Sequence, residues 1–279
     1  MIEVNNVTFR YSGEAEEGIA PALEEVTLRI DEGETIALIG HNGSGKSTLA
    51  RLLAAIVLPQ RGSVIVDGLR TDAGGESLWQ IRQSVGLVFQ NPDDQLVTNT
   101  VIDEIAFGPE NLGLPRFEIE ERVEEMLDLL DLRPYARHAV SDLSQGQKQR
   151  LAVAGVLAMR PRYLILDEPT TMIPGHTAEQ LLETVRRLAR ERGISVLHIT
   201  HHMYELADFD RVIVMNRGRV LLDGTPASVL RHREELERAG LGLPLITQLG
   251  QRLRARGWSQ LPEVILTLDD LKAALCSLK

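Results

Sequence analysis

A glycine-rich segment, Gly40–Thr48, holds the residues of this sequence whose types and spacing are best suited to binding phosphate. It contains the pattern Gly-x4-Gly-Lys-Ser, between an apolar run at Thr35–Ile39 and a segment with helical apolar spacing. Glycines let the backbone curl so that its N–H groups point at phosphate oxygens, and the start of a helix adds its positive end. Lys46 supplies a charge for the β- and γ-phosphates, and Ser47 offers a hydroxyl to Mg²⁺. The segment predicts a nucleoside triphosphate site formed by Gly40, His41, Asn42, Gly43, Ser44, Gly45, Lys46, Ser47 and Thr48.

Two carboxylates at the end of a second apolar run are suited to the hydrolysis of such a ligand. Tyr163–Leu166 predicts a buried strand, and Asp167 and Glu168 follow it directly. Adjacent residues of a strand point to opposite faces, so the two carboxylates are expected to have different roles. We expect the first to hold Mg²⁺ and the second to orient or deprotonate the attacking water.

The elements around these motifs alternate between short apolar runs and segments with helical apolar spacing. Such alternation predicts an α/β protein with a parallel sheet that is covered by helices on both faces. The predicted strands are Ile2–Arg10, Ala22–Ile30, Thr35–Ile39, Val85–Phe89, Tyr163–Leu166, Ser195–Thr200, Arg211–Met215 and a hairpin return at Gly218–Gly224. The predicted helices are Lys46–Ile56, Phe117–Leu130, Gln147–Met159, Thr177–Glu191, Met203–Ala207, Ile246–Arg256 and Leu268–Leu278.

Composition and charge limit the classes of protein to which the chain can belong. It has 279 residues and a net charge of −10, which disfavours nucleic acid as a partner because phosphate backbones attract basic surfaces. Cys276 is the single cysteine, so a disulfide within the chain is impossible, as expected in a reducing compartment. The first residues lack the features of a signal peptide, and no apolar run approaches the roughly 20 residues that span a bilayer. We therefore expect any membrane role to depend on a partner.

A third motif, Leu143–Gln147, reads Leu-Ser-Gln-Gly-Gln and opens a predicted helix, whose N-terminus favours an anion. Together with the phosphate loop and the acidic strand end, and in the same order, it resembles the ABC ATPase family, whose signature is Leu-Ser-Gly-Gly-Gln. The resemblance covers roughly Ile2–Leu230. It implies an ABC-type P-loop NTPase fold with a parallel sheet core, an antiparallel β subdomain and a helical subdomain that carries the signature.

The resemblance also implies a head-to-tail dimer, in which each ATP lies between the phosphate loop of one subunit and the signature of the other. Four single residues match an adenine-stacking aromatic, a glutamine that senses Mg²⁺ and the membrane partner, a catalytic base and a switch histidine at the γ-phosphate. In that order they are Tyr11, Gln90, Glu168 and His201. The residues implied at the partner's ATP are Ser144, Gln145, Gly146 and Gln147, and those implied at Mg²⁺ are Ser47, Gln90 and Asp167.

Two segments, Gln90–Gln95 and Ala106–Gly113, narrow the resemblance to the ATPase subunits of energy-coupling-factor (ECF) transporters, which import vitamins and transition-metal ions. The form of the phosphate loop at Gly40–Gly43, which reads Gly-His-Asn-Gly, and the stretch Val153–Ala158 are similar to those of the first of the two ATPase subunits. The implied partners are a second ATPase subunit, an integral membrane coupling subunit and a substrate-binding membrane subunit. The chain is then expected to lie peripherally at the cytoplasmic face of the cell membrane.

The pattern of the chain changes after Leu230, where a charged stretch and a Gly/Pro turn precede the last two predicted helices. We therefore expect a nucleotide-binding domain at 1–230 and a helical extension at 231–279, which the resemblance links to dimerisation. In the nucleotide-binding domain, apolar residues within Ile102–Phe107 are expected to form a groove for a helix of the membrane partner.

Two positions depart from the family pattern. Gln145 replaces the first glycine of the signature pair, and its larger side chain is expected to crowd the phosphate approach. Pro174 stands where the family has an aspartate that couples the two ATP sites, and proline fixes φ and donates no N–H. Both departures affect the ATP of the partner, whereas this chain's own loop and Glu168 are intact. We predict an asymmetric dimer with the stronger site on this chain's phosphate loop, which favours a paralogue over a second copy as the partner.

Three other functions are alternatives to that of an ATPase subunit of an ECF transporter. The ATPase of a conventional importer for amino acids or metal ions differs only in the loop after Gln90 and in the tail. Soluble ABC proteins that act on DNA or ribosomes usually carry two nucleotide domains or a long coiled-coil insertion, and the sequence contains neither. A regulatory sensor that binds ATP without turnover would not need Glu168.

Overall fold

The computed structural model describes residues 1–11, 20–171, 173 and 175–277, and its centre is a mostly parallel sheet. The strands are β1 (Ile2–Phe9), β2 (Leu23–Ile30), β3 (Thr35–Ile39), β4 (Arg61–Val66), β5 (Leu69–Arg70), β6 (Val85–Val88), β7 (Tyr163–Asp167), β8 (Ser195–Ile199), β9 (Arg211–Asn216) and β10 (Arg219–Gly224). The helices are α1 (Lys46–Leu53), α2 (Gly75–Ser84), α3 (Val101–Asn111), α4 (Arg116–Leu129), α5 (Gln145–Ala158), α6 (Gly175–Arg192), α7 (Pro226–Arg231), α8 (Arg233–Arg238), α9 (Leu245–Ala255) and α10 (Leu268–Ser277). The main sheet has the order β10-β9-β3-β8-β7-β6, in which β10 runs antiparallel to β9 and the other pairs are parallel.

The central strands of this sheet are buried on both faces because their alternate residues enter two different cores. Ile36 and Leu38 of β3 pack with α1 and with the second sheet. Ala37 and Ile39 point the other way and pack with the elements that follow β9. A strand buried on both sides needs a continuous apolar run, which is the pattern of Thr35–Ile39. The predicted parallel sheet with cover on both faces is confirmed.

A second sheet, with the order β2-β1-β4-β5, is antiparallel throughout. Its buried residues, such as Val4, Val7 and Val26, share one core with α1 and one face of the main sheet. The sequence predicted β1 and β2 from their alternation but gave no signal for β4. That strand begins with Arg61 and Gly62, so its apolar residues are too few to show a period.

The helices α3, α4 and α5 form a helical subdomain beside the main sheet. Their buried residues, among them Ile105, Met126 and Leu151, share one core with α6. The signature segment lies directly at the start of α5. The predicted ABC-type division into a parallel core, an antiparallel subdomain and a helical subdomain is therefore confirmed.

The C-terminal part contains two kinds of packing. Leu230 of α7 and Leu236 of α8 enter the core beneath β9, whereas α9 and α10 surround a small separate cluster of Leu261, Ile265 and Leu271. The predicted domain boundary after residue 230 lies within α7, and it stays a prediction. Within the described ranges, none of the helices combines the length and the apolar composition that crossing a bilayer requires.

Candidate nucleotide-binding and catalytic site

The phosphate loop joins the end of β3 to the start of α1, where the backbone turns sharply. Gly45, the N-cap of α1, has a φ of 103°, in a region that side chains strongly disfavour. A Cβ atom on Gly45 would lie 2.6 Å from the carbonyl oxygen of Ala22, and one on Gly40 would lie 2.4 Å from that of Met215. A Cβ atom on Gly43 would meet nothing within 4 Å. The loop is thus packed closely at both ends and open at its middle, as an anion site at a helix start requires.

Lys46 places a buried charge across this loop. Its Nζ donates to the carbonyl oxygens of Gly40 at 2.9 Å and His41 at 3.1 Å, and the residue is 5% exposed. Burial lowers the pKa of the Lys46 ammonium, and the nearby carboxylates of Glu168 and Asp167 oppose that decrease. The ammonium is therefore held between the loop and the two carboxylates, where it can contact the terminal phosphates of a nucleotide.

Ser47 and Asp167 form the part of the site that fits a magnesium ion. Burial raises the pKa of the Asp167 carboxyl group, and the Ser47 side chain beside it opposes that increase. Asp167 is 7% exposed, and within the described ranges its Oδ1 atom has no hydrogen-bond partner. A hydroxyl beside an unpartnered carboxylate oxygen matches the oxygen ligands that Mg²⁺ prefers. Gln90, the third residue implied at the metal, donates its Nε2 to Glu168 Oε2 at 2.9 Å, and its role at the metal stays a prediction.

Glu168, just beyond β7, is the point at which the predicted catalytic residues meet. Its Oε2 accepts hydrogen bonds from Gln90 Nε2 at 2.9 Å and Thr171 Oγ1 at 3.3 Å, and its Oε1 contacts His201 Nε2. Glu168 has a φ of 49°, which is uncommon for a residue with a side chain. Asp167 is the last residue of β7, and Glu168 follows it in this positive-φ conformation. The Glu168 carboxylate is oriented from both sides.

A buried polar cluster behind His201 holds the backbone of the switch segment. The N–H of His202 donates to Thr200 Oγ1 at 3.0 Å, and the Thr200 side chain favours the charged form of the nearby Glu205 carboxyl group. Burial raises the pKa of Glu205. The Nε2 atom of His198 lies 3.9 Å from Glu205 Oε2, and burial lowers the pKa of His198 to about 3. His198 is therefore neutral at pH 7, and this contact is not an ion pair.

Burial of neutral His198 predicts a loss of stability on acidification. The imidazole has a pKa of about 6.5 in the unfolded chain, so below pH 6.5 the unfolded state binds a proton that the native state does not. The free energy of unfolding should then decrease by about 2 kcal/mol between pH 8 and pH 5 from this group. We expect the His198→Gln variant to lack this component, as measured by urea denaturation at both pH values.

The comparison with the variant isolates His198 from the other titrating groups. The raised pKa of Glu205 has the opposite sign, because there the native state binds the extra proton as pH falls. This component is present in both proteins and cancels in the difference between them. A stability difference between wild type and variant that does not change with pH would contradict the prediction.

The signature motif begins α5 with a capping box. Ser144 Oγ accepts from the backbone N–H of Gln147 at 3.4 Å, and Gln147 Oε1 accepts from that of Ser144 at 2.8 Å. A Cβ atom on Gly146 would have Ile173 Cγ2 as its nearest neighbour, at an ordinary 3.7 Å. Packing within the described part of the chain therefore does not require glycine at this position. A glycine there suits the close approach of a group from outside the chain.

Gln145 points toward the segment that follows Gln90. Its Nε2 donates to Asp93 Oδ2 at 3.0 Å, and Lys148 Nζ donates to Asp93 Oδ1 at 2.6 Å. The hydrogen bond from Lys148, followed by that from Gln145, lowers the pKa of Asp93. The sequence motifs include Gln145 but give no signal for Asp93. Pro174, the other departure from the family pattern, lies outside the described residues.

The remaining predicted residues line the two sides of the loop. The Tyr11 hydroxyl lies 3.3 Å from Thr48 Oγ1 and accepts a hydrogen bond from Arg51 Nη1 at 3.1 Å. His41 Nε2 lies 3.1 Å from Asn216 Oδ1. Asn216 ends β9, and a polar residue at the carboxyl end of a parallel strand is a signal by which the sequence alone could have found it. Asn42 is exposed, and Ser44 is buried.

Comparisons with known proteins identify the family of this chain. Residues 23–171 match the model of the ABC transporter family. Two relatives bear the name Energy-coupling factor transporter ATP-binding protein EcfA1. The one from Symbiobacterium thermophilum is 48% identical over 280 residues, covering 99% of this chain and 97% of its own. The one from Caldanaerobacter subterraneus subsp. tengcongensis is 45% identical over 276 residues, covering 99% of both.

Solved structures give the same result at the level of the fold. The structure of cbiO1 from Clostridium perfringens, part of the ABC transporter complex cbiONQ, superimposes with a TM-score of 0.74 at 34% identity and covers 90% of this chain and 98% of its own. A dimeric post-hydrolysis state of the ATP-binding cassette MJ0796, bound to ADP and Pi, also has a TM-score of 0.74, at 30% identity, covering 81% of this chain and 99% of its own. The resemblance inferred from the motifs is confirmed over the full length of the chain. This chain belongs to the ABC transporter family and, within it, to the ATP-binding subunits of energy-coupling factor transporters.

Proposed function

We propose that this chain hydrolyses ATP at a site completed by a second ATPase subunit, and so powers uptake of a vitamin or a transition-metal ion through membrane partners. The observation that carries the proposal is the convergence of Gln90 and His201 on the Glu168 carboxylate, with Lys46 close by. This arrangement joins a phosphate-binding charge to an oriented base. Binding alone would not need the second of these.

The residues divide the reaction between them. Loop N–H groups and Lys46 bind the β- and γ-phosphates, and Tyr11 packs beside the base of the nucleotide. Mg²⁺, when bound, supplies charge neutralisation at these phosphates, and Ser47 and Asp167 would hold it. Glu168 orients and deprotonates the attacking water, while His201 binds the γ-phosphate and keeps Glu168 in place.

The signature segment serves the ATP of the other subunit. Ser144, Gly146 and Gln147 lie at the positive end of α5, where a helix start attracts phosphate. Each subunit then contributes its phosphate loop to one site and its signature to the other. Because Gln145 and Pro174 both belong to the half that serves the partner, the two sites are unequal.

Unequal sites predict unequal effects of one substitution made in the two subunits. We expect Glu168→Gln to remove most of the ATP turnover of the complex, because this chain's phosphate loop anchors the stronger site. The matching replacement of the partner's catalytic glutamate should remove only a minor part. Steady-state phosphate release from the two variant complexes measures both effects, and equal losses would contradict the asymmetry.

A groove between α3 and α4 suits the membrane partner. It has a volume of about 530 Å³, and its lining combines an apolar floor with acidic side chains. The apolar residues are Ile102, Ala106, Leu114, Ile119 and Val123, and the acidic ones are Asp103, Glu110, Glu120 and Glu124. The lining also includes one basic residue, Arg116, which pairs with Glu120 and leaves an excess of negative charge. Such a groove fits an amphipathic helix with basic residues, which a coupling subunit would present at the membrane surface.

Purification with the native membrane partners tests the proposed function. An affinity tag on this chain should recover, in detergent, a second ATPase subunit, a helical coupling subunit and a small substrate-binding membrane protein, and the complex should release phosphate from Mg²⁺–ATP. Recovery of the paired transmembrane subunits of a conventional importer would favour that alternative. Absence of phosphate release from the complete complex would overturn the catalytic proposal.

A further inference from the structure

The segment after Gln90, together with Phe89 just before it, lies along the signature helix α5. Hydrogen bonds join it to α5 at two levels. Near the middle of α5, Gln149 Nε2 donates to the carbonyl oxygen of Phe89 at 3.3 Å, and Gln95 Nε2 donates to that of Ala152 at 3.4 Å. Gln95 also accepts a hydrogen bond from the N–H of Phe89 at 3.0 Å, which closes the segment into a compact loop. The segment is therefore bonded both internally and to α5, so we expect the two to move together.

The second level is the first turn of α5, where Asp93 accepts from Gln145 at 3.0 Å and from Lys148 at 2.6 Å. Asp93 lies in the short 3-10 turn Pro92–Asp94, and its N–H donates to Asn91 Oδ1 at 3.3 Å. A turn of this kind leaves the Asp93 carboxylate little freedom to follow α5 without the rest of the segment moving as well.

The contact from Gln145 depends on the departure from the family pattern, because glycine has no side chain to reach Asp93. Gln145 is flanked by Ser144, the N-cap, and by Gly146, and all three lie on the turn that the proposed function places against the partner's phosphates. The contact with Asp93 also gives the Gln145 amide a position away from the phosphate approach.

We propose that Gln145 is a positioning residue that, through Asp93, ties the signature turn to the segment after Gln90. This inference rests on the proposed function and refines it. Gln90 donates to Glu168 at 2.9 Å, so a path of few bonds joins this chain's own catalytic carboxylate to the signature that it presents to the partner. The tie sustains turnover at the partner's site, although that site remains the weaker one.

The test removes the tie and measures each site by itself. Gln145→Ala is examined in the complete complex in two backgrounds: Glu168→Gln, which leaves the partner's site active, and replacement of the partner's catalytic glutamate, which leaves this chain's site active. If the partner is a second copy, two differently tagged copies provide the same two backgrounds. We expect turnover at the partner's site to fall roughly 3- to 10-fold, the effect of losing one exposed hydrogen bond to a charged acceptor. Turnover at this chain's own site should change less than 2-fold.

Two further variants separate positioning from a general loss of structure. Asp93→Ala should produce a site-selective fall at least as large, because it also removes the ion pair with Lys148. The double variant should be no worse than Asp93→Ala alone, since Gln145 then has no partner left to lose. Arg70→Ala is the matched control. Arg70 lies on β5 and forms an exposed ion pair with Asp72, and its loss should leave both rates unchanged. The urea midpoint of each variant checks folding.

Three results would overturn the tie: additive effects of Gln145→Ala and Asp93→Ala, equal losses at both sites, or unchanged turnover at the partner's site. Each of them would leave the proposed function intact. The failure of that function has a different signature, the absence of phosphate release from the wild-type complex.

Discussion

Replacement of Glu168 by Gln is expected to lower ATP turnover at the site on this chain's phosphate loop by roughly 10²- to 10⁴-fold, the contribution of a well-placed general base. The change keeps the shape of the side chain. Its amide oxygen can still accept from Gln90 and Thr171, while its NH₂ group faces His201. Only the ability to take a proton from water is lost. The measurement is phosphate release from a complex in which the partner's catalytic glutamate is also replaced, against that partner change alone.

ATP binding provides the control for this variant. Because the hydrogen bonds of Lys46 go to the carbonyl oxygens of Gly40 and His41, the affinity for ATP should stay within about 3-fold of wild type. Retention of more than a tenth of the turnover would show that another group activates the water. A large loss of ATP affinity would show that Glu168 acts through the structure of the loop.

Replacement of Lys46 by Ala is expected to weaken ATP binding by roughly 10- to 100-fold, because it removes a charged hydrogen bond to the phosphates. Turnover should fall further, since charge that develops in the transition state loses its nearest cation. The ammonium also spans Gly40 and His41, so its loss should loosen the loop. Equilibrium titration of the purified full-length chain with a fluorescent ATP analogue measures the affinity.

Lys272→Ala provides a matched control for this loss of charge. Lys272 lies on α10, is largely exposed and pairs with Asp269. Its removal changes the net charge of the chain equally, so it tests whether a diffuse electrostatic effect is responsible. We expect its ATP affinity to equal that of wild type, and a loss similar to that of Lys46→Ala would contradict a specific role for the loop lysine.

The phosphate loop and the acidic end of β7 were predictable because each depends on residues close in sequence. Gly45 must accept a φ of 103° at the start of α1, and Asp167 and Glu168 follow a run that is apolar without interruption. Local backbone geometry and burial determine both the phosphate loop and the strand end, so the residue types indicate these two features directly. The sequence of β4 contains no such local pattern, and only its pairing with β1 places it in the second sheet.

The sequence by itself determined the family, and it predicted the phosphate loop and the base, because these follow from short patterns of residue types. The tertiary structure decided which side chains meet. Gln90 reaches Glu168 across 78 positions of the chain, and Gln145 reaches Asp93 across 52. Neither pairing has a period or a spacing in the sequence. Gln90 meets Glu168 because β6 and β7 are neighbours in the main sheet, and Gln145 meets Asp93 because α5 packs against the segment that follows β6. The sequence predicts only that Gln145 crowds a phosphate, and its contact with Asp93 is visible only in the folded chain.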